Sequence, residues 1–262
     1  MKSAVEKGWR PLLVLILLLV LWEGGARLFD VPAWLLPLPT QIAKAAFTGY
    51  SLYAPHIVST ITLSATGYLV GISVGILVAI LLFRIPFLQQ AFYPLLILSQ
   101  NIPVIVLAPL LVIWFGFGML PKVIVIVLVC FFPVTIAALD GFRQTDRDML
   151  YYLKMIGASD RQIFWKLQWP HSLPSLFSGL KIAATYSVMG AVISEWLGAN
   201  KGIGVYMTLA SSSFKTDRVF VAILLIMILS LVYFGMILIV EKSVLRWRSQ
   251  GGSGSDGSTY TR

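Results

Sequence analysis

Six long apolar runs recur through this chain of 262 residues, and they leave little of it for anything else. They lie at 11–28, 57–83, 92–115, 121–139, 174–197 and 219–240. A hydrocarbon core of ~30 Å is crossed by about 20 residues of helix. In lipid the backbone must satisfy its own polar groups, so isolated runs of this length fold as helices. With 58% of residues hydrophobic and only 12% charged, the chain lacks the polar surface that a soluble domain needs. The fold class that follows is an all-α integral membrane protein with six transmembrane helices.

The formal charge of +9 could point to nucleic acid, but most of the basic residues sit between or outside the apolar runs, where membrane proteins concentrate them. No nucleic-acid partner is expected; the bilayer is the partner. Fourteen of the twenty lysines and arginines fall on the side of the N-terminus and six on the other. That excess places both termini and the loop at 140–173 in the cytoplasm of a multi-pass cell-membrane protein. Cys130 is the sole cysteine, which excludes a disulfide framework and a cysteine metal site. His56 and His171 lie far apart and read as ordinary interfacial residues, so no metal and no cofactor is expected. No A-x-A-like cleavage site follows the first run, and residues 23–27 extend it. It is expected to be a span rather than a signal peptide.

Three segments organise the chain. Residues 1–56 hold the first span and an extracytoplasmic segment with a short amphipathic stretch at 41–47, which reads as interfacial. Residues 57–241 hold five spans. Residues 242–262 are a basic end and a Gly/Ser-rich tail, predicted to be disordered over 251–262. Small residues recur every four positions in the second span (Gly67, Gly71, Gly75, Ala79) and in the fifth (Ser175, Gly179, Ala183, Ser187, Ala191). Such a stripe lets backbones approach closely in lipid. It serves packing within one subunit, or else a subunit interface or pathway wall.

The 140–173 loop carries two start signals for helices. Thr145 with Asp148 fits a capping pattern, and Ser159 with Gln162 a second. Gly157 suits the left-handed residue that ends the first helix, and Pro170 is expected to end the second. The result is a pair of short cytoplasmic helices whose Met149, Tyr152, Met155, Ile163 and Phe164 are expected to be exposed, awaiting a partner or resting on the span ends.

This loop resembles the EAA motif of binding-protein-dependent ABC transporter permeases. Gly157 stands at the motif glycine and Leu167, Gln168, Trp169 and Pro170 at its close. The likeness runs on through Leu173, Pro174 and Gly179–Lys181, then through Glu195–Ala199 and Gly202–Gly204. It covers nearly all of residues 30–245. The Leu36–Pro39 approach is similar to the nitrate/sulfonate/taurine branch, and the run at 100–118 to its pyrimidine-precursor (thiamine-related) group. One departure stands out: Tyr151, Tyr152 and Leu153 replace the E-A-A triplet, so the acidic contact expected at Tyr151 is missing and Asp148 or Asp160 is left to substitute electrostatically.

The resemblance implies a type I importer permease whose helix pair is a coupling element. Cytoplasmic ABC ATPase subunits would contact Tyr151, Tyr152, Leu153, Gly157, Ala158, Ser159, Asp160, Leu167 and Pro170. It also implies an extracytoplasmic solute-binding protein and a second, identical permease copy. The chain itself has no nucleotide-binding G-x-x-x-x-G-K-[ST] run and no catalytic motif, so it is read as a transport subunit and not an enzyme. The solute would be a pyrimidine thiamine precursor or a sulfonate- or nitrate-like anion. The competing reading is an ion-gradient-driven secondary transporter, but the middles of the spans hold no Asp or Glu to bind a coupling ion. Ser99, Gln100 and Asn101 form a polar trio inside the third span, either interhelical glue or pathway lining. Glu195, near the outer end of the fifth span, is a candidate gate or docking contact, or else a cap or interfacial ion pair.

Overall fold

The computed structural model describes residues 2–246, with side chains from Trp9 onward; the tail at 251–262 lies outside them. Every regular element among the described residues is helical. In order they are α1 (Lys2–Leu28), α2 (Pro39–Thr48), α3 (Tyr50–Arg84), α4 (Pro86–Gln100), α5 (Val104–Phe115), α6 (Met119–Arg143), α7 (Arg147–Met155) and α8 (Asp160–Ile163). A π-helical turn (Phe164–Gln168), α9 (Trp169–Glu195), α10 (Ile203–Ser212) and α11 (Thr216–Val244) complete the order. Five stretches are long and apolar enough to span: Trp9–Leu28, Tyr50–Arg84, Met119–Arg143, Asp160–Glu195 and Thr216–Val244. The expected third span is not one helix. It is α4 and α5, meeting at 100°.

Contacts divide the chain into two units. The first comprises Met1–Thr60 and Ala199–Met227. Here the carboxylate of Glu23 on α1 accepts from Arg27 Nε at 2.9 Å and from the Thr40 backbone N–H at 3.2 Å. Glu23 thus serves the start of α2, where backbone N–H groups have no partner within the helix. α2 is the amphipathic stretch expected in this region. Trp22 meets Phe220 with ring centroids 5.3 Å apart. His56 is more than an interfacial residue: its Nδ1 lies 3.0 Å from the Gly202 N and 2.9 Å from the Gly202 carbonyl oxygen, and Thr60 Oγ1 accepts the Ile203 N–H at 2.8 Å. Two side chains of α3 therefore cap α10.

The second unit, Ile61–Gly198 with Ile228–Arg262, is organised around α6. A first side-chain carbon on Gly67 would lie 2.5 Å from the Ile126 side chain, one on Gly71 2.8 Å from Cys130, and one on Gly75 3.1 Å from Val134. Both numberings rise together, so α3 and α6 run parallel. On its other side α6 meets α9: Gly190 faces Val129, the Cys130 thiol donates to the Ala183 carbonyl at 3.4 Å, Gly179 faces Pro133 and Ala137, and Gly141 faces Ser172. Here one numbering rises as the other falls, so α9 is antiparallel to α6. Ala79, Ala183, Ser187 and Ala191 are buried. Both small-residue stripes are spent on packing inside one chain, where close backbone approach replaces hydrophobic driving force.

Parallel α3 and α6 require the chain between them to return across the bilayer. The bent pair does so. At one end Arg143 of α6 stacks on Tyr93 of α4, 4.5 Å from its ring centre. At the other, Ala108 and Leu111 of α5 are buried against Val125 near the start of α6, with Leu197 beside them. The helix stops at Gln100 because Pro103 has no N–H and its ring disfavours helical geometry at Ile102. The freed groups are met locally. Ile102 N–H donates to the Ser99 carbonyl at 3.2 Å, and Asn101 Nδ2 to the Ile97 carbonyl at 3.0 Å.

Gly179 tests this packing. Its added carbon would stand 2.6 Å from Ala137 Cβ and 2.7 Å from the Pro133 carbonyl oxygen, whereas Gly235 on α11 has nothing within 4 Å. Gly179→Ala should cost about 1–3 kcal/mol by overpacking. It should lower the melting temperature of the detergent-purified protein, and Gly235→Ala should leave that temperature unchanged or slightly higher.

Candidate functional site

The break between α4 and α5 opens a cavity of about 540 Å³ within the second unit. Ser99 and Gln100 line it from α4, Phe132 and Pro133 from α6, and Tyr186 and Met189 from α9. The α6 lining, residues 128–133, falls in the middle third of that helix, so the cavity opens at about mid-depth in the membrane. The polar trio divides here. Ser99 donates its hydroxyl proton to the Leu96 carbonyl at 2.9 Å and faces the cavity. Gln100 lines the cavity with a carboxamide that hydrogen-bonds to no described residue. Asn101 bonds back to its own helix and is not part of the lining.

An exposed carboxamide at mid-depth would lose several kcal/mol if it faced lipid. It faces water or protein. Phe132 and Met189 escaped the reading of the sequence because each sits in an apolar run without a polar neighbour to mark it, and Tyr186 because its neighbours Thr185 and Ser187 belong to other faces of the helix. A signal did exist. Ile182, Tyr186 and Met189 recur at helical spacing on the α9 face away from its small-residue stripe, and all three are exposed.

The expected pair of short helices after α6 is present, with three differences from expectation. The cap of α7 is Asp146, whose carboxylate accepts from Asp148 N at 2.8 Å and Met149 N at 3.4 Å. Thr145 is buried and donates instead to the Phe142 carbonyl at 2.9 Å. Pro170 does not end the second helix. The chain stays helical from Asp160 to Glu195, and the π-helical turn before Pro170 widens the helix where the ring and the missing N–H would strain an α turn. Finally, Ile163 and Phe164 are buried. Phe164 packs between Phe83, Phe142 and Trp169, with the Arg84 guanidinium 4.4 Å above its ring.

The turn itself follows the sequence. Gly157 has φ +80°, Ala158 N donates to the Leu153 carbonyl and Gly157 N to the Lys154 carbonyl, both at 3.0 Å. This is the paired bonding of a Schellman C-cap. Ser159 and Gln162 close the expected capping box, with Ser159 N donating to Gln162 Oε1 at 2.8 Å. Tyr151, Tyr152, Met155 and Ile156 remain exposed beside a groove of about 340 Å³ lined by Leu153, Gly157, Ala158 and Lys166. Asp160 opens α8, Leu167 lies in the π-helical turn and Pro170 in the first turn of α9. Glu195 is the last residue of α9 and only 1% exposed.

The signature of the family described as the inner membrane component of binding-protein-dependent transport systems matches residues 71–246. Over 241 residues the chain is 39% identical to a formylaminopyrimidine transport permease protein of Halalkalibacterium halodurans, covering 92% of this chain and 96% of that one. It is 30% identical over 237 residues to a riboflavin transport system permease protein of Chloroflexus aurantiacus (90% and 88% covered). It is 27% identical over 247 residues to a putative aliphatic sulfonates transport permease protein of Bacillus subtilis (92% and 89% covered).

The cap of α7 can be tested directly. Asp146→Ala removes the acceptor for two orphan N–H groups and should cost about 1 kcal/mol. Amide hydrogen exchange at Asp148 and Met149 should accelerate roughly fivefold, with exchange in α6 and α9 unchanged.

Proposed function

The chain belongs to the family of inner-membrane components of binding-protein-dependent transport systems and is the permease of an ATP-binding-cassette importer; from that premise we propose how its parts share the work. The observation that carries the proposal is the mid-depth cavity at the broken span, with Gln100 facing it. The solute passes along this cavity, with Ser99 and Gln100 lining the path. Asn101 serves the break instead. Both termini and the α7–α8 pair lie in the cytoplasm, supported by the excess of basic residues on that side.

A separate cytoplasmic ATPase grips the helix pair. The contact surface is Tyr151, Tyr152, Leu153, Gly157, Ala158, Ser159 and Asp160, with Leu167 and Pro170 at its base. Exposed Tyr151, Tyr152, Met155 and Ile156 support this, since an apolar surface outside the bilayer calls for a partner. The aromatic and apolar triplet in place of E-A-A makes this contact one of packing rather than of charge. ATP-driven closure of two ATPases tilts the spans between inward- and outward-open states. A second copy of the permease completes the path, and an extracytoplasmic binding protein delivers the solute. A formylaminopyrimidine-like pyrimidine is the proposed solute, following the relative 39% identical over nearly its whole length. Glu195, buried at the outer end of α9, is better placed as a gate than as a first docking contact.

The test is reconstitution of the permease with its ATPase and binding protein in liposomes. Uptake of labelled formylaminopyrimidine should require ATP inside and persist with ionophores present; uptake that collapses with the ion gradient would overturn the assignment of function. Two variants probe the parts. A side chain at Gly157 meets nothing within 4 Å inside the chain but must adopt φ +80°. Gly157→Arg therefore costs about 1 kcal/mol in backbone strain and sets a large cation in the contact surface. ATPase association and uptake should fall at least tenfold, while membrane insertion persists. Glu195→Gln should insert normally and reduce maximal uptake. Unchanged uptake and unchanged apparent affinity for loaded binding protein would remove Glu195 from the gate.

A further inference from the structure

The chemistry of the cavity lining says which solutes it accepts. The lining contains no charged side chain of either sign. Lys181 on α9 is engaged elsewhere, its ammonium held by both oxygens of Glu241 at 3.1 and 2.8 Å. A sulfonate, nitrate or carboxylate entering at mid-depth would give up its hydration without meeting a counter-charge, and a buried unpaired charge is strongly disfavoured. An uncharged solute pays no such penalty. The walls are also specific in shape. Phe132 of α6 and Tyr186 of α9 contribute aromatic rings, and Met189 a polarizable thioether of the kind that packs against ring edges. Two polar groups of this largely apolar lining make no hydrogen bond to a described residue, the Tyr186 hydroxyl and the Gln100 carboxamide, and the carboxamide offers two donors and an acceptor. The edge of an aminopyrimidine presents the complementary set: ring nitrogens that accept and an exocyclic amine that donates. The volume of about 540 Å³ also falls within the ~300–1,000 Å³ usual for small-molecule pockets.

We propose that this cavity is a selectivity station inside the permease for an uncharged, planar nitrogen heterocycle, with Phe132 and Tyr186 packing on its faces and Gln100 reading its edge. The inference rests on the reading that the solute path runs through this cavity. It adds that the permease itself sorts solutes, after the binding protein has done so.

The permease–ATPase complex, purified in nanodiscs without binding protein, tests this by equilibrium dialysis against labelled formylaminopyrimidine and labelled taurine. Saturable binding of the pyrimidine is expected, at least tenfold stronger than any binding of taurine. Gln100→Ala should weaken it at least fivefold, and Phe132→Leu and Tyr186→Leu about threefold each; Tyr186→Phe should retain it. Equal or tighter binding of taurine overturns the proposal, as does wild-type pyrimidine binding in all three weakening variants. Loss of binding together with a lowered melting temperature in every variant, Tyr186→Phe included, assigns these residues to folding and also overturns it. ATP-dependent uptake, measured on the same wild-type preparation with binding protein added, separates the two levels. Intact uptake with a cavity indifferent to these substitutions removes the selectivity station alone. Absence of ATP-dependent uptake removes the parent reading, while the dialysis result still judges the cavity.

Discussion

The close approach of α6 to α3 on one side and α9 on the other is the constraint on which the second unit depends. Lipid offers no hydrophobic force between helices, so their association rests on dispersion and weak hydrogen bonds, both steeply dependent on distance. Gly67, Gly71 and Gly75 admit the side chains of Ile126, Cys130 and Val134, and Gly179 admits Pro133 and Ala137. Once α3 and α6 are locked side by side and parallel, the chain between them has to cross back. The sequence available for that crossing contains Pro103, so it crosses as two half-helices. The cavity is a product of that compromise: two helices packed too closely to admit anything, beside a third unable to pack along its whole length.

A second fixed point lies where α3 and α6 end. Phe83, Phe142, Phe164 and Trp169 gather rings from the ends of α3 and α6 and from the turn leading into α9, under the Arg84 guanidinium. This cluster takes in Phe164, which follows the second short helix and lies next to buried Ile163, and leaves Met149, Tyr151, Tyr152 and Met155 of α7 exposed. The division explains why only the first helix of the pair presents a broad apolar face. Tyr151, Tyr152 and Met155 have no counterpart cluster to join.

Much of this could be read from the residues in order. Span positions, the small-residue faces, the Gly157 turn and the Ser159–Gln162 box each depend on local chemistry, and local chemistry is what a sequence displays. The departures share another cause. Thr145 and Asp146 are both able caps, and the choice between them depended on whether Thr145 would be buried against the end of α6. Pro170 would stop an ordinary helix, but a widened turn ahead of it was not signalled by any residue. Phe164 looked exposed because its partners, Phe83 and Phe142, lie far away in sequence. The third span looked continuous because a run of apolar residues does not announce its direction, and Ser99–Asn101 read as a polar trio inside a span rather than as the approach to a corner. At the cavity only the polar members, Ser99 and Gln100, were visible; the aromatic walls became so once α6 and α9 were set side by side.

The unbroken course of the chain from Asp160 to Glu195 has a mechanical consequence. At ~1.5 Å per residue it is a rod of roughly 54 Å that begins just after the Gly157 turn and ends beyond the cavity. A rod of that length magnifies small angles: pivoting by about 10° around its midpoint, it carries each end through roughly 5 Å, in opposite directions. Any displacement imposed at Ser159 would therefore be felt at Glu195 with its sign reversed, without any chain of intermediate rearrangements. The wide turn at 164–168 is where such a rod would yield first, and its stiffness would set how much of a displacement at one end reaches the other.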